Sequence, residues 1–124
     1  MLFFSWGNNL YGQLGDGTAI SRSEAGKVNQ EGVLKNKLLT EIEAGSFYSL
    51  VLDSDGQVYS WGFNNGLLGI GDINPRRTPV QVSSLNGTRI ISIAGSSSHV
   101  LAVSTDGEVF RYFFLFFKIF NEKE

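Results

Sequence analysis

Two stretches decide the reading: Ile42–Trp61, IEAGSFYSLVLDSDGQVYSW, and Ile93–Tyr112, IAGSSSHVLAVSTDGEVFRY. They align without a gap. Ile42/Ile93, Ser46/Ser97, Leu50/Leu101, Asp55/Asp106, Gly56/Gly107 and Val58/Val109 are identical, and Leu52/Val103, Ser54/Thr105 and Tyr59/Phe110 exchange like for like. Each copy holds alternating apolar residues on both sides of an Asp-Gly pair, a short-range hairpin signal. Recurrence at about fifty residues marks a repeat architecture, in which one unit cannot bury its own apolar faces.

Working outward, each return strand runs into a glycine-dense connector. Trp6–Thr18 reads WGNNLYGQLGDGT and Trp61–Asp72 reads WGFNNGLLGIGD, so the later copy is one residue shorter. The shared skeleton is Trp6-Gly7 and Trp61-Gly62, then Asn9 and Asn64. After them come Gly12, Leu14, Gly15 and Gly17 against Gly66, Leu68, Gly69 and Gly71. Such glycine density denies regular helix or strand and predicts a wound loop, with the leucines as apolar pegs and the asparagines bonded to nearby backbone. Beyond the first connector, Thr18–Asn36 is polar, with a short edge strand expected around Val28; Thr78–Val82 is its counterpart, and Pro79 suits an edge. Inner strands are expected at 38–42 and 89–93, and at 48–52 and 99–103. Return strands are expected at 57–61 and 108–112. About four short antiparallel strands per unit is the blade content of a β-propeller.

The predicted class is therefore all-β: about two four-stranded antiparallel blades of an incomplete propeller. The division is 1–17 as the last strand and connector of a preceding repeat, 18–72 as the first full repeat, 73–112 as the second, and 113–124 as a Phe-rich tail outside the repeats.

Composition sets bounds. The chain has 124 residues, 15 glycines, 2 prolines, no cysteine and a net charge of −2. The absence of cysteine removes disulfides, thiolate metal sites and thiol nucleophiles. The scattered Lys and Arg form no basic stripe for nucleic acid. Neither a leader peptide nor a run of ~20 apolar residues is evident, so an intracellular setting, cytoplasmic or nuclear, is expected. His99 is the only histidine. It lacks the companions a metal or catalytic site needs and is expected at a strand start with its ring bonded to backbone. Asp53-x-Asp55-Gly56 lacks the further ligands of a calcium loop and reads as a turn. The connectors have neither the order nor the context of a phosphate-binding loop. Asn86-Gly87-Thr88 fits a glycosylation sequon, and Arg76-Arg77-Thr78-Pro79 a phosphorylation site on an exposed connector.

Three linked blocks carry a resemblance. These are the Trp6-Gly7-x-Asn9-x-x-Gly12-Gln13-Leu14-Gly15-x-Gly17 connector, the Ile42-x-x-Gly45 block, and the Asp55-Gly56-x-Val58-Tyr59-x-Trp61-Gly62 return strand. In that order they resemble the regulator-of-chromosome-condensation repeat family over about residues 5–111. The resemblance implies a piece of a seven-bladed propeller, with structural roles for the tryptophans and glycines, including Asp106-Gly107 in the second hairpin. It also implies protein partners, a small GTPase among them, and no cofactor. The function implied is a non-catalytic protein-interaction module. Nucleotide exchange on a Ran-like GTPase, or substrate recruitment for a ubiquitin ligase, are the alternatives. The chain departs from the family pattern where Gly45 becomes Ser96, where Tyr48 stands in place of histidine, and where Gln13 becomes Leu67.

Overall fold

The computed structural model describes residues 1–97, 99–113 and 116–122. Ten strands occur among them: β1 (Phe4–Gly7), β2 (Arg22–Lys27), β3 (Leu39–Ala44), β4 (Tyr48–Asp53), β5 (Val58–Gly62), β6 (Arg76–Gln81), β7 (Ile90–Gly95), β8 (His99–Ser104), β9 (Val109–Phe113) and β10 (Phe116–Glu122). A single 3-10 turn, Ser83–Leu85, lies between β6 and β7. Every pairing is antiparallel. The strands form a β1-β2 pair and two four-stranded sheets, β3-β4-β5-β6 and β7-β8-β9-β10.

The repeat is legible in the hydrogen-bond register. The first strand of each full sheet shifts register at the same place, between Leu39 and Glu41 and between Ile90 and Ser92. The Trp-Gly corners likewise bulge alike, with Gly7 opposite Arg22 and Gly62 opposite Arg76. Each hairpin turn closes the same way. Gly56 N–H donates to Asp53 O and Gly107 N–H to Ser104 O, while Asp53 and Ser104 N–H reach Gln57 O and Glu108 O. Gly56 and Gly107 take φ of 81° and 79°, the left-handed position of a three-residue hairpin loop.

Three expectations are corrected. The edge strand expected around Val28 is Arg22–Lys27, and it pairs with β1. A sheet therefore takes its outer strand from residues that follow the connector, so the sheets run out of phase with the repeat limits 18–72 and 73–112. Tail residues Phe116–Glu122 pair with β9 at the place β6 holds beside β5, so backbone pairing brings the tail into the second sheet. The missing alternation and glycine hid this, because an edge strand needs only backbone donors and acceptors to join a ladder. Phe113 ends β9, and residues 114, 115, 123 and 124 lie outside the described residues. Finally, Arg76-Arg77-Thr78-Pro79 lies within β6, not on a connector.

Why sheets stack is visible in β4 and β5, which are buried almost throughout. Alternate side chains leave opposite faces. Tyr48, Leu50, Leu52 and Val58 join Ile90, Ile93, Val100, Ala102 and Phe110 in one cluster with Leu67, Leu68, Val82 and Leu85. Val51, Tyr59 and Trp61 join Val28 and Leu34 in a second, against which Phe3 and Leu39 pack. Each fully buried aliphatic side chain contributes about 1.5–3 kcal/mol. Polar ties reinforce the junction. Glu41 Oε2 accepts the Ile93 N–H at 2.9 Å, and Ile90 N–H donates to Gly56 O at 3.0 Å. Arg89 donates to Ser54 O at 3.1 Å.

Candidate functional site

β4 begins opposite the end of β5, with Tyr48 facing Gly62. The 45–47 loop and the connector after β5 therefore leave the sheet at one end, and the Asp55-Gly56 turn closes the other.

Each connector is wound about an asparagine. Asn9 is fully buried; its Nδ2 donates to Thr18 O and Ile20 O, both at 3.0 Å, and its Oδ1 accepts Leu14 N–H at 3.0 Å. Asn64 repeats the arrangement, donating to Asp72 O and Asn74 O at 3.0 and 2.9 Å and accepting Gly66 N–H at 3.0 Å. One amide thus satisfies backbone groups from both ends of the loop. An ion pair then clamps each connector to the following outer strand, Asp16 to Arg22 and Asp72 to Arg76, the latter at 2.7 Å. Burial of Asp16 opposes its ionisation, but the Thr18 amide and hydroxyl and the Arg22 charge outweigh it and hold the carboxyl below its usual value. Asp72 is lowered by the Arg76 hydrogen bond first, then by the Asn74 amide.

The two corner tryptophans differ. Trp61 is 2% exposed and its indole N–H donates to Gln13 O at 2.8 Å; Trp6 is 63% exposed. A Cβ on Gly15 would stand 2.6 Å from the Trp61 ring nitrogen, so only glycine lets the connector lie on that ring. Leu14 and Leu68 are buried, and the matched Ser5 and Ser60 hydroxyls donate to their carbonyls at 2.7 and 2.8 Å.

Tyr48 joins neighbouring sheets. Its hydroxyl donates to Ser96 O at 2.7 Å; a Cβ added at Gly45 would collide with its ring, and one at Gly95 with its hydroxyl. Burial, against the Ser96 hydrogen bond and with help from the Glu43 charge, pushes its phenol up to about 12. His99 starts β8 as expected, and its Nδ1 lies 3.0 Å from the Ser96 hydroxyl. Asp53 is occupied as a turn acceptor: Oδ1 takes the Asp55 and Gln57 N–H groups and Oδ2 the Tyr59 hydroxyl. Burial first, then Asp53, raises the Tyr59 phenol above its usual value. Among the described residues no group of three or more His, Cys, Asp or Glu side chains is placed to hold a metal. No helix there is long and apolar enough to cross a membrane.

What the sequence reading missed is an aromatic group at the connector end. Tyr11 lies 4.8 Å from Phe63 and 5.3 Å from Phe47, ring centre to ring centre. Tyr11 and Phe47 remain 37% and 44% exposed. They border a cleft of about 200 Å³ with Ser46, Tyr48, Phe63, Leu67 and Ser97. These rings come from two connectors and one loop, and the matched positions in the other copy are not aromatic (Asn8 for Phe63, Ser98 for Phe47), so alignment of the copies could not find them. The Asp–Arg clamps escaped for the same reason. Arg22 and Arg76 are matched, opposite the corner glycines, but Asp16 lies between Gly15 and Gly17 whereas Asp72 follows Gly71.

Comparison with known proteins agrees with this architecture. Two family models, both described as Regulator of chromosome condensation (RCC1) repeat, match residues 55–103 and 39–66. The human protein named Probable E3 ubiquitin-protein ligase HERC4 is 35% identical over 113 residues, covering 88% of this chain and 10% of its own length. The chain thus spans about a tenth of that relative. Human WBSCR16 matches in structure with a TM-score of 0.81 and 26% identity, over 97% of this chain and 34% of that one. Prp20p from Saccharomyces cerevisiae, whose structure was described with its binding to Gsp1p and histones, matches with a TM-score of 0.69 and 25% identity. That match covers 91% of this chain and 29% of Prp20p.

Proposed function

The chain belongs to the Regulator of chromosome condensation (RCC1) repeat family, and from that premise we propose that it is a non-catalytic propeller segment whose connector end engages a protein partner. The observation that carries this reading is the Tyr11–Phe47–Phe63 group, in which Tyr11 and Phe47 are exposed and Phe63 is half-buried. Aromatic side chains bring large contact area at low conformational cost and are enriched where proteins meet. They are held here by loops pinned at Asn9, Asn64 and Trp61, so binding would cost little loop ordering. The test is photo-crosslinking in the full-length parent, with a photoreactive residue at Tyr11 or at Asp106, on the opposite end of the sheets. Partner adducts are expected from position 11 and not from 106. Equal adducts from both would overturn the reading.

The HERC4 relationship favours a finer version, in which these repeats recruit substrates for a ubiquitin ligase. A partner crosslinked at Tyr11 should then be ubiquitylated by the full-length parent. The likeness to Prp20p supports a competing version, promotion of nucleotide release from a small GTPase. Exchange needs tighter binding of the nucleotide-free state than of the loaded one. A fluorescent-nucleotide release assay separates the two.

A further inference from the structure

The chain contains two Asn-Gly pairs, Asn65-Gly66 and Asn86-Gly87, and the fold treats them oppositely. In the connector, Gly66 is buried and its N–H donates to Asn64 Oδ1 at 3.0 Å. The second pair sits just beyond the 3-10 turn, where both residues are exposed. There Asn86 N–H is bonded to Ser83 O and Thr88 N–H to Leu85 O, each at 3.1 Å, while the Gly87 N–H between them has no partner among the described residues. Nothing lies within 4 Å of the place a Gly87 side chain would occupy. The one nitrogen that could react with the Asn86 side chain is therefore unbonded, uncrowded and in water.

We propose that Asn86 is a site of spontaneous backbone-assisted deamidation, and that the wound connector protects Asn65 from the same chemistry. The Gly87 amide nitrogen, losing its proton, attacks Asn86 Cγ. A nitrogen–carbon bond forms, the Cγ–Nδ2 bond breaks, and Nδ2 leaves as ammonia with the transferred proton. Water then opens the five-membered succinimide. Hydrolysis at Cγ yields aspartate; hydrolysis at the backbone carbonyl yields isoaspartate, with the chain running through Cβ. Water is the only co-reactant and nothing is oxidised or reduced. Asn86 starts at ψ 136°, so closing the ring requires rotation about its Cα–C bond. Glycine at the next position offers the least steric resistance to that rotation. The product carries one extra negative charge on the segment that leads into β7.

The experiment incubates the full chain at mildly alkaline pH, in native buffer and in urea, and follows both sites by peptide mapping. Conversion adds about 1 Da and creates isoaspartate, which separates from aspartate on chromatography. In native buffer Asn86 should convert at least about tenfold faster than Asn65, and urea should bring the two rates together, because only local unfolding exposes the protected pair. Asn86→Gln should remove the early product and leave Asn65 unchanged. Equal rates in native buffer, or an intact Asn86 when Asn65 has converted, would overturn the proposal.

Discussion

Trp61 shows how one side chain joins two repeats. Its ring lies on Gly15 and its N–H reaches Gln13 O, a carbonyl that also accepts the Ser49 hydroxyl at 2.8 Å. Trp61→Phe leaves that carbonyl partnered and should cost only about 1 kcal/mol, whereas Trp61→Ala opens a cavity and should cost about 3–5 kcal/mol. Urea denaturation of the two variants separates hydrogen bond from packing. Tyr48 makes a pH-dependent contribution. Its folded value, about 12, lies above the ordinary 10.0, so the neutral phenol is favoured by folding. The stability it provides is complete below pH 10 and should drain away as pH rises towards 12. In Tyr48→Phe that part of the alkaline fall should be missing; an unchanged profile would mean the phenol does not titrate with unfolding.

At the scale of the element, the connector is a loop with a clamp and a corner. The corner is tested by two matched glycines. Gly7 and Gly62 take φ of 113° and 109°, yet a Cβ at Gly62 would sit 2.5 Å from Phe47 O while one at Gly7 meets nothing within 4 Å. Gly7→Ala should cost about 1 kcal/mol of backbone strain, and Gly62→Ala clearly more, read as the difference in denaturation midpoint. The clamp is tested by acid. Asp16 and Asp72 titrate below the ordinary 3.8 when folded, so their stabilisation is present above that value and is lost as pH falls through the lower folded one. Arg76→Ala should weaken that acid sensitivity but cost only about 0–1 kcal/mol near neutrality, since the pair is a third exposed.

For the whole molecule, the deciding contrast is Ile42 against Ile93, matched in sequence and 60% against 5% exposed. Ile93 is covered by the sheet beside it, and among the described residues no sheet covers Ile42 in the same way. Leu38 and Ile91 are also more than half exposed. Repeat arrays without polar capping units tend to associate through such faces. The isolated chain should therefore sediment as more than a monomer and melt in a concentration-dependent way. A sharp melt, independent of concentration and from a monomer, would contradict this.

Most of the strand plan was legible in the residues. Alternating apolar positions around Asp55-Gly56 and Asp106-Gly107 specify hairpins, because the pleat sends neighbouring side chains to opposite faces. The Trp-Gly corners and connector asparagines are likewise local in origin. Which strands share a sheet was a different matter. Arg22–Lys27 beside β1, and Phe116–Glu122 beside β9, are joined by backbone hydrogen bonds that leave no pattern in side chains. The Tyr11–Phe47–Phe63 group and the two Asp–Arg clamps depend on loops converging from separate parts of the chain. Local chemistry determined the hairpins and corners, since each depends on neighbours in sequence; only packing in three dimensions decided the outer strands, the clamps and the exposed aromatic face, since each depends on neighbours in space.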